Sequence, residues 1–242
     1  MTASSAATAA SSSGWKEKPG TIMKLLDRLL DLLYPPRCLI CHEFLEPGAG
    51  TVCGRCMDTL PEFDGADPHV RFADRCVATF FYEEKLRDSF LRYKFGGRDW
   101  YAKQYGKWMA VTIRDKLTGK YDIMTWVPVS RQRKKERGYD QAELLCRSAA
   151  RELGMEPVRT LEKLTDNRAQ STLNDASERM ANAAGAYGPY QAERFAGKRV
   201  LLIDDIVTTG ATLSECARVL RMAGAEQVVC AALATPRERN ER

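Results

Sequence analysis

The sequence predicts an α/β fold: a parallel sheet flanked by helices, preceded by a small four-cysteine metal module. Three observations predict it. Strand-like apolar runs alternate with amphipathic helical segments from Cys76 onward, and two CxxC pairs stand close together upstream. The chain's 242 residues, 44% hydrophobic and 29% charged, give room for one ordinary domain plus an accessory module. Composition also excludes classes. With only two histidines, His42 and His69, a Ser-His-Asp or Cys-His catalyst has almost nowhere to reside. GxGxxG and GxxxxGKS/T are both absent, so phosphate must be bound without the usual dinucleotide or P-loop fingerprints. A formal charge of +5 mildly favours anionic partners. No stretch of about eighteen apolar residues occurs, and the Ala/Ser-rich start has neither a basic n-region nor an apolar h-region. The expectation is a cytoplasmic protein without a membrane span.

The elements follow in order. Residues 1–20, rich in Ala, Ser, Gly and Lys, read as a disordered tail. Within 21–36, Ile22, Leu25, Leu26, Leu29 and Leu33 recur at helical spacing until Pro35 and Pro36 end an amphipathic helix. The metal module occupies 37–61, a Pro, Gly and Asp-rich linker 62–75, and the larger domain 76–238. There we expect a strand at 76–82, helices at 84–93 and 100–117, and a strand at 123–128. A helix over 141–153 puts Ala142, Leu145, Ala149 and Leu153 on one face, with Asp140 and Glu143 as a capping pair and Gly154 as its stop. A buried strand at 200–203, a helix at 213–223 and a strand at 227–233 complete the alternation.

Cys38, Cys41, Cys53 and Cys56 form the pattern CxxC, eleven residues, CxxC. Two residues between thiols let one turn aim both sulfurs at one point, and two such turns supply four thiolates for a closed tetrahedral site. Zinc suits that donor set and iron remains open. Four closed ligands leave no open coordination position, so the metal is structural, and its binding supplies the folding energy of a segment with little core of its own. Metal removal is accordingly expected to melt 37–61 and leave the larger domain largely intact. His42 follows a ligand and is expected to be exposed. Cys76, Cys146, Cys216 and Cys230 fall in apolar patterns and read as buried small hydrophobes.

The segment from Val200 to Thr212, VLLIDDIVTTGAT, sets two adjacent carboxylates at the end of a buried strand and then a Thr/Gly-rich turn that opens a helix. Such a turn presents unpaired backbone N–H groups and the positive end of a helix dipole to a phosphate. Thr208, Thr209 and Thr212 add hydroxyl donors, Gly210 permits close approach, and Thr212 with Glu215 reads as a capping box. Asp204 and Asp205 repel a phosphate but accept hydrogen bonds from sugar hydroxyls or help hold a cation. The segment resembles the phosphoribosyl pyrophosphate (PRPP) motif of the type I phosphoribosyltransferases. The resemblance implies that Asp204 and Asp205, the catalytic-site acids, meet the ribose hydroxyls. It also implies that Val207, Thr208, Thr209, Gly210, Ala211 and Thr212 hold the 5-phosphate.

A second segment, VPVSRQRKKERGYDQ from Val127 to Gln141, reads as a basic loop suited to a pyrophosphate, with Arg133, Lys135 and Arg137 as donors. A third, 164–186, is polar and carries Arg168 and Arg179; it reads either as a lid or as a plain surface loop. Residues 85–107 interleave Arg87, Arg92, Lys94, Arg98 and Lys103 with Phe90, Tyr93, Phe95, Trp100 and Tyr101, a composition open to single-strand stacking or to ordinary core packing.

Taken in order, the CxxC pair, LRYKFGG (91–97), VPV with RGYDQ, Arg168 with Gln170, and VLLIDDIVTTGAT resemble the bacterial ComF competence family over roughly 32–236. That resemblance implies a zinc ribbon before a type I phosphoribosyltransferase-like domain, with structural zinc and magnesium accompanying PRPP. It implies an accessory role in DNA uptake and single-stranded DNA processing during natural transformation. The implied partners are PRPP or a nucleotide, single-stranded DNA, and competence or helicase proteins. An active Mg-dependent phosphoribosyltransferase that moves ribose 5-phosphate to a nitrogenous base is the alternative. The chain departs from the family at Asp140, where RGFNQ-type motifs carry Asn; the charge weakens any role for this side chain in touching an anion.

Overall fold

The computed structural model describes residues 35–46, 48–165 and 183–237. The expected tail, nearly all of the 21–36 helix, and most of 164–186, including Arg168, Gln170 and Arg179, lie outside these residues.

Four parallel strands form the main sheet in the order β1-β6-β5-β2: β1 (Arg75–Phe81), β2 (Ile123–Trp126), β5 (Arg199–Ile206) and β6 (Gln227–Thr235). Strand β5 is central and alternates its burial between two cores. Leu201 and Ile203 pack with α5 (Gln141–Leu153) through Leu145 and Ala149, while Val200 and Leu202 pack with α6 (Ala211–Met222) through Leu213, Cys216 and Leu220. The two helices therefore cover opposite faces. The segment after α5 runs along the outer side of β2, where Val158 N–H donates to the Met124 carbonyl at 2.8 Å. From β2 the chain thus leaves outward through α5, and from β5 it leaves inward through α6. A crevice opens beyond the carboxyl ends of β2 and β5, where open α/β sheets bind ligands.

Helices α2 (Glu84–Phe95) and α3 (Tyr101–Leu117) connect β1 to β2, and a two-stranded antiparallel ribbon of β3 (Leu161–Lys163) and β4 (Tyr187–Pro189) sits beside the main sheet. Helix α5 begins and ends as its sequence dictates: the Asp140 carboxylate accepts from Glu143 N–H at 3.1 Å, and Gly154 closes it in the left-handed region. Cys76, Cys146, Cys216 and Cys230 are buried, as expected.

Three expectations change. The charged run 131–137 is a helix, α4 (Arg131–Arg137), because Ser130 Oγ accepts from Arg133 N–H at its start and Gly138, at φ 85, stops it. Thr212 and Glu215 do not form a capping box. Gly210 is the N-cap of α6, with no side-chain cap, and Glu215 instead accepts from Gly185 N–H at 2.8 Å and pairs with Arg218 at 2.7 Å. The stretch at 62–75 is no loose tether. Residues 61–63 hydrogen-bond along the edge of β1, Phe63 N–H to Thr79 O and Phe81 N–H to Pro61 O, and Arg71 N–H donates to Ser214 Oγ at 2.9 Å.

The cysteine module shares a core with the larger domain. Leu39, Ile40, Leu45 and Val52 are buried in the cluster that contains Phe90, Tyr93, Tyr101 and Tyr105. Burying such side chains contributes about 1.5–3 kcal/mol each, so the module and α2–α3 stabilise one another. This revises the expectation that metal loss leaves the larger domain intact. Among the described residues no helix is long and apolar enough to cross a membrane.

Candidate functional site: a phosphate crevice and a four-cysteine metal centre

The four sulfurs of Cys38, Cys41, Cys53 and Cys56 all lie within 4.8 Å of one another, and Cys41 Sγ is 3.9 Å from Cys53 Sγ. Tetrahedral zinc with Zn–S bonds of about 2.3 Å needs sulfur separations of about 3.8 Å, so the donor set fits the ion. The turns pre-arrange it. Cys53 N–H points at Cys38 Sγ (3.4 Å), and α1 (Gly54–Asp58) places Cys56 under Cys53. Burial opposes ionisation of the Cys38 thiol, but N–H groups of Cys53, Cys41 and Ile40 outweigh it and hold the thiol at about 7. His42 is half-buried, not exposed, and is not one of the ligand group.

The crevice beyond β2 and β5 is a cavity of about 500 Å³. It brings together almost every residue that the sequence singled out: Asp204, Asp205, the whole turn from Val207 to Thr212, Arg133 and Arg137. Lys135 is not brought in; it is exposed on α4, because a helix separates residues 133 and 137 from 135 by roughly half a turn. The turn is the candidate anion seat. Gly210 adopts φ 71 and the chain enters α6 directly, so the first-turn N–H groups, which have no intrahelical partner, belong to residues that line the cavity. The glycine is also demanded from behind, since a Cβ there would meet the His69 carbonyl at 2.5 Å.

Asp204 and Asp205 differ. Burial, then the charge of Asp205, pushes the Asp204 carboxyl well above the usual range. Asp205 is neutralised by Lys94, whose Nζ lies 2.7 Å from its Oδ2. Lys94 and Arg87, both on α2, line the cavity; in the sequence both fall in a basic stretch, and Lys94 also in the LRYKFGG segment, with neither marked as a site residue. Lys163 and Tyr187 also line it; their ribbon brings Lys163 Nζ to 3.2 Å from Tyr187 Oη. No local motif marks that pair. Asp140 does not face a ligand. Its two oxygens accept from Val129 N–H at 3.0 Å and Glu143 N–H, so it fixes the 127–129 loop against α5. Of the aromatics in 85–107, Phe90, Tyr93 and Tyr101 are core, while Phe95 at 65% and Trp100 at 46% exposure remain accessible.

A parallel sheet with a Thr/Gly-rich turn at its switch point, joined to a four-cysteine ribbon, defines a zinc-ribbon protein with a phosphoribosyltransferase-type domain. Comparisons agree. The family model for the phosphoribosyl transferase domain matches residues 141–242 and that for the double zinc ribbon domain matches 29–68. Competence protein F of Haemophilus influenzae is 28% identical over 181 residues, covering 73% of this chain and 75% of the relative. Competence protein ComFC of Streptococcus pneumoniae is 34% identical over 151 residues, covering 62% and 64%. The chain thus spans a little under two thirds of the pneumococcal relative. The glutamine PRPP amidotransferase of B. subtilis, complexed with ADP and GMP, aligns at 21% identity with a TM-score of 0.40, over 59% of this chain and 30% of that one. The chain is similar to these competence proteins over most of its length.

Proposed function

We propose that the crevice binds PRPP or a related nucleotide phosphate, and that the protein acts as an accessory in single-stranded DNA uptake and processing during natural competence. The observation that carries this reading is the convergence on one cavity of the 207–212 turn, the Asp204–Asp205 pair, Arg133 and Arg137. Main-chain amides and threonine hydroxyls of the turn take the 5-phosphate; the acids accept from ribose hydroxyls; the two arginines meet a second phosphate group bidentately. The competence names of the relatives support the accessory role.

A phosphoribosyl transfer is the second reading, favoured by the placement of Arg133 and Arg137 where a diphosphate leaving group would lie. In this second reading, magnesium bound with PRPP would supply further charge neutralisation to that group. Here the chain's own residues orient the ribose and stabilise the departing charge. Pyrophosphate release from PRPP across a panel of nucleobases, run beside single-strand binding titrated against salt, separates the readings. The accessory role predicts PRPP binding without turnover and a steep salt slope for the strand. Turnover with one base would establish the enzyme.

A further inference from the structure

We propose that Lys94 is a built-in counter-cation for the ribose-phosphate site, so that the site takes its ligand without a divalent metal ion. This rests on the crevice being a ribose-phosphate site.

Two adjacent carboxylates at a strand end repel one another, and a divalent cation is one way to relieve them. Here the chain relieves them itself. The Lys94 ammonium, in the last turn of α2, lies 2.7 Å from Asp205 Oδ2, with the two side chains 20% and 17% exposed. The pair is therefore neither sealed in the core nor loose on the surface; it opens onto the cavity. The other Asp205 oxygen accepts from Ile206 N–H at 2.7 Å, so both oxygens already have donors from the protein. A metal seeking Asp205 must use a remaining lone pair beside an ammonium, a like-charge contact at short range.

Asp204 offers a metal little more. Among the described residues it has no ion pair, and burial followed by the Asp205 charge favours its neutral form. The cavity lining carries the cations Arg87, Lys94, Arg133, Arg137 and Lys163 against the two carboxylates. An ammonium has three N–H donors. With one on Asp205, Lys94 has two to offer oxygens of the sugar phosphate, the place a bridging cation would otherwise take.

The test is calorimetric titration of PRPP into the zinc-loaded full chain, in buffer freed of divalent ions by resin treatment and again with excess magnesium. No chelator is used, so the zinc centre is untouched. The wild-type affinity is expected to agree within about threefold between the two buffers. Lys94→Met is expected to bind about tenfold more weakly without magnesium, the loss of one charged hydrogen-bonding partner, and to recover most of this when magnesium is added. Lys94→Arg should behave as wild type, and a melting curve for each variant shows whether it is folded. Wild-type binding that collapses without magnesium overturns the proposal, as does a folded Lys94→Met that matches wild type in both buffers. No wild-type binding in either buffer overturns the ribose-phosphate reading itself, and the proposal with it.

Discussion

Arg92 on α2 donates from Nη2 to the Ile40 carbonyl at 2.6 Å and to that of Leu39 at 3.1 Å, binding a cavity-lining helix directly to the loop between the first two metal cysteines. Ser89 Oγ adds a bond to the same Leu39 carbonyl, and Thr51 Oγ1 reaches Gln104 on α3 at 3.0 Å. Lys94, two residues after Arg92, closes on Asp205. The metal centre and the crevice are thus both tied to the C-terminal half of one helix, between Ser89 and Lys94.

Zinc removal is therefore expected to loosen α2 as well as the ribbon. In hydrogen exchange, amides of 88–95 should lose at least about tenfold of their protection when the metal is stripped, equivalent to about 1.4 kcal/mol of local opening. Unchanged protection in α2 alongside a melted 37–61 would show that the contact does not couple them.

Asp204 is expected to lower the stability of the unliganded protein at neutral pH. Because burial and Asp205 raise its folded-state pKa above the ordinary value of about 3.9, the folded state binds the proton more tightly than the unfolded one. Its contribution to stability is full below that ordinary value and is lost as pH rises through the raised one. Asp204→Asn should accordingly raise the melting temperature at pH 7 while weakening PRPP binding about tenfold or more. A lowered melting temperature at pH 7 would contradict the assignment.

Burial raises the Asp140 carboxyl as well, but its oxygens are committed to the backbone. Each of its oxygens serves a different backbone N–H, of Val129 and Glu143. Asparagine keeps one acceptor and turns an amide donor toward the other N–H. Asp140→Asn should cost about 1–3 kcal/mol, or a melting temperature lower by about 2–4 °C per kcal/mol, in thermal unfolding. Stability equal to wild type would show that the loop does not depend on the pair of bonds.

The basic helix α4 divides its charges by face. Arg133→Ala should weaken PRPP binding about tenfold, whereas Lys135→Ala, removing an exposed charge, should change it by less than about twofold. Equal losses in the two variants would mean that the cavity wall is not where the diphosphate sits.

What was legible in the sequence is what local chemistry encodes. The helix from Gln141 to Leu153, with its Asp140 cap and Gly154 stop, the spacing of the four metal cysteines, and the strand-acid-turn unit at 200–212 all carry their instructions in adjacent residues. The helix at 131–137 has no apolar period, and only Ser130 and Gly138, a capping pair at its ends, betray it. Lys94, Arg87, Lys163 and Tyr187 come to the cavity from segments far apart in the chain, a consequence of strand order that no spacing records. The capping box at Thr212 and Glu215 failed for a tertiary reason: Glu215 is taken by Gly185 and Arg218.

The most direct measurement is a crystal structure of the zinc-bound protein with ribose 5-phosphate. The account predicts the phosphate within hydrogen-bond distance of the amides in the 208–212 turn, with a ribose hydroxyl on Asp204 or Asp205. A fully occupied ligand elsewhere on the protein, with that turn unengaged, would contradict it.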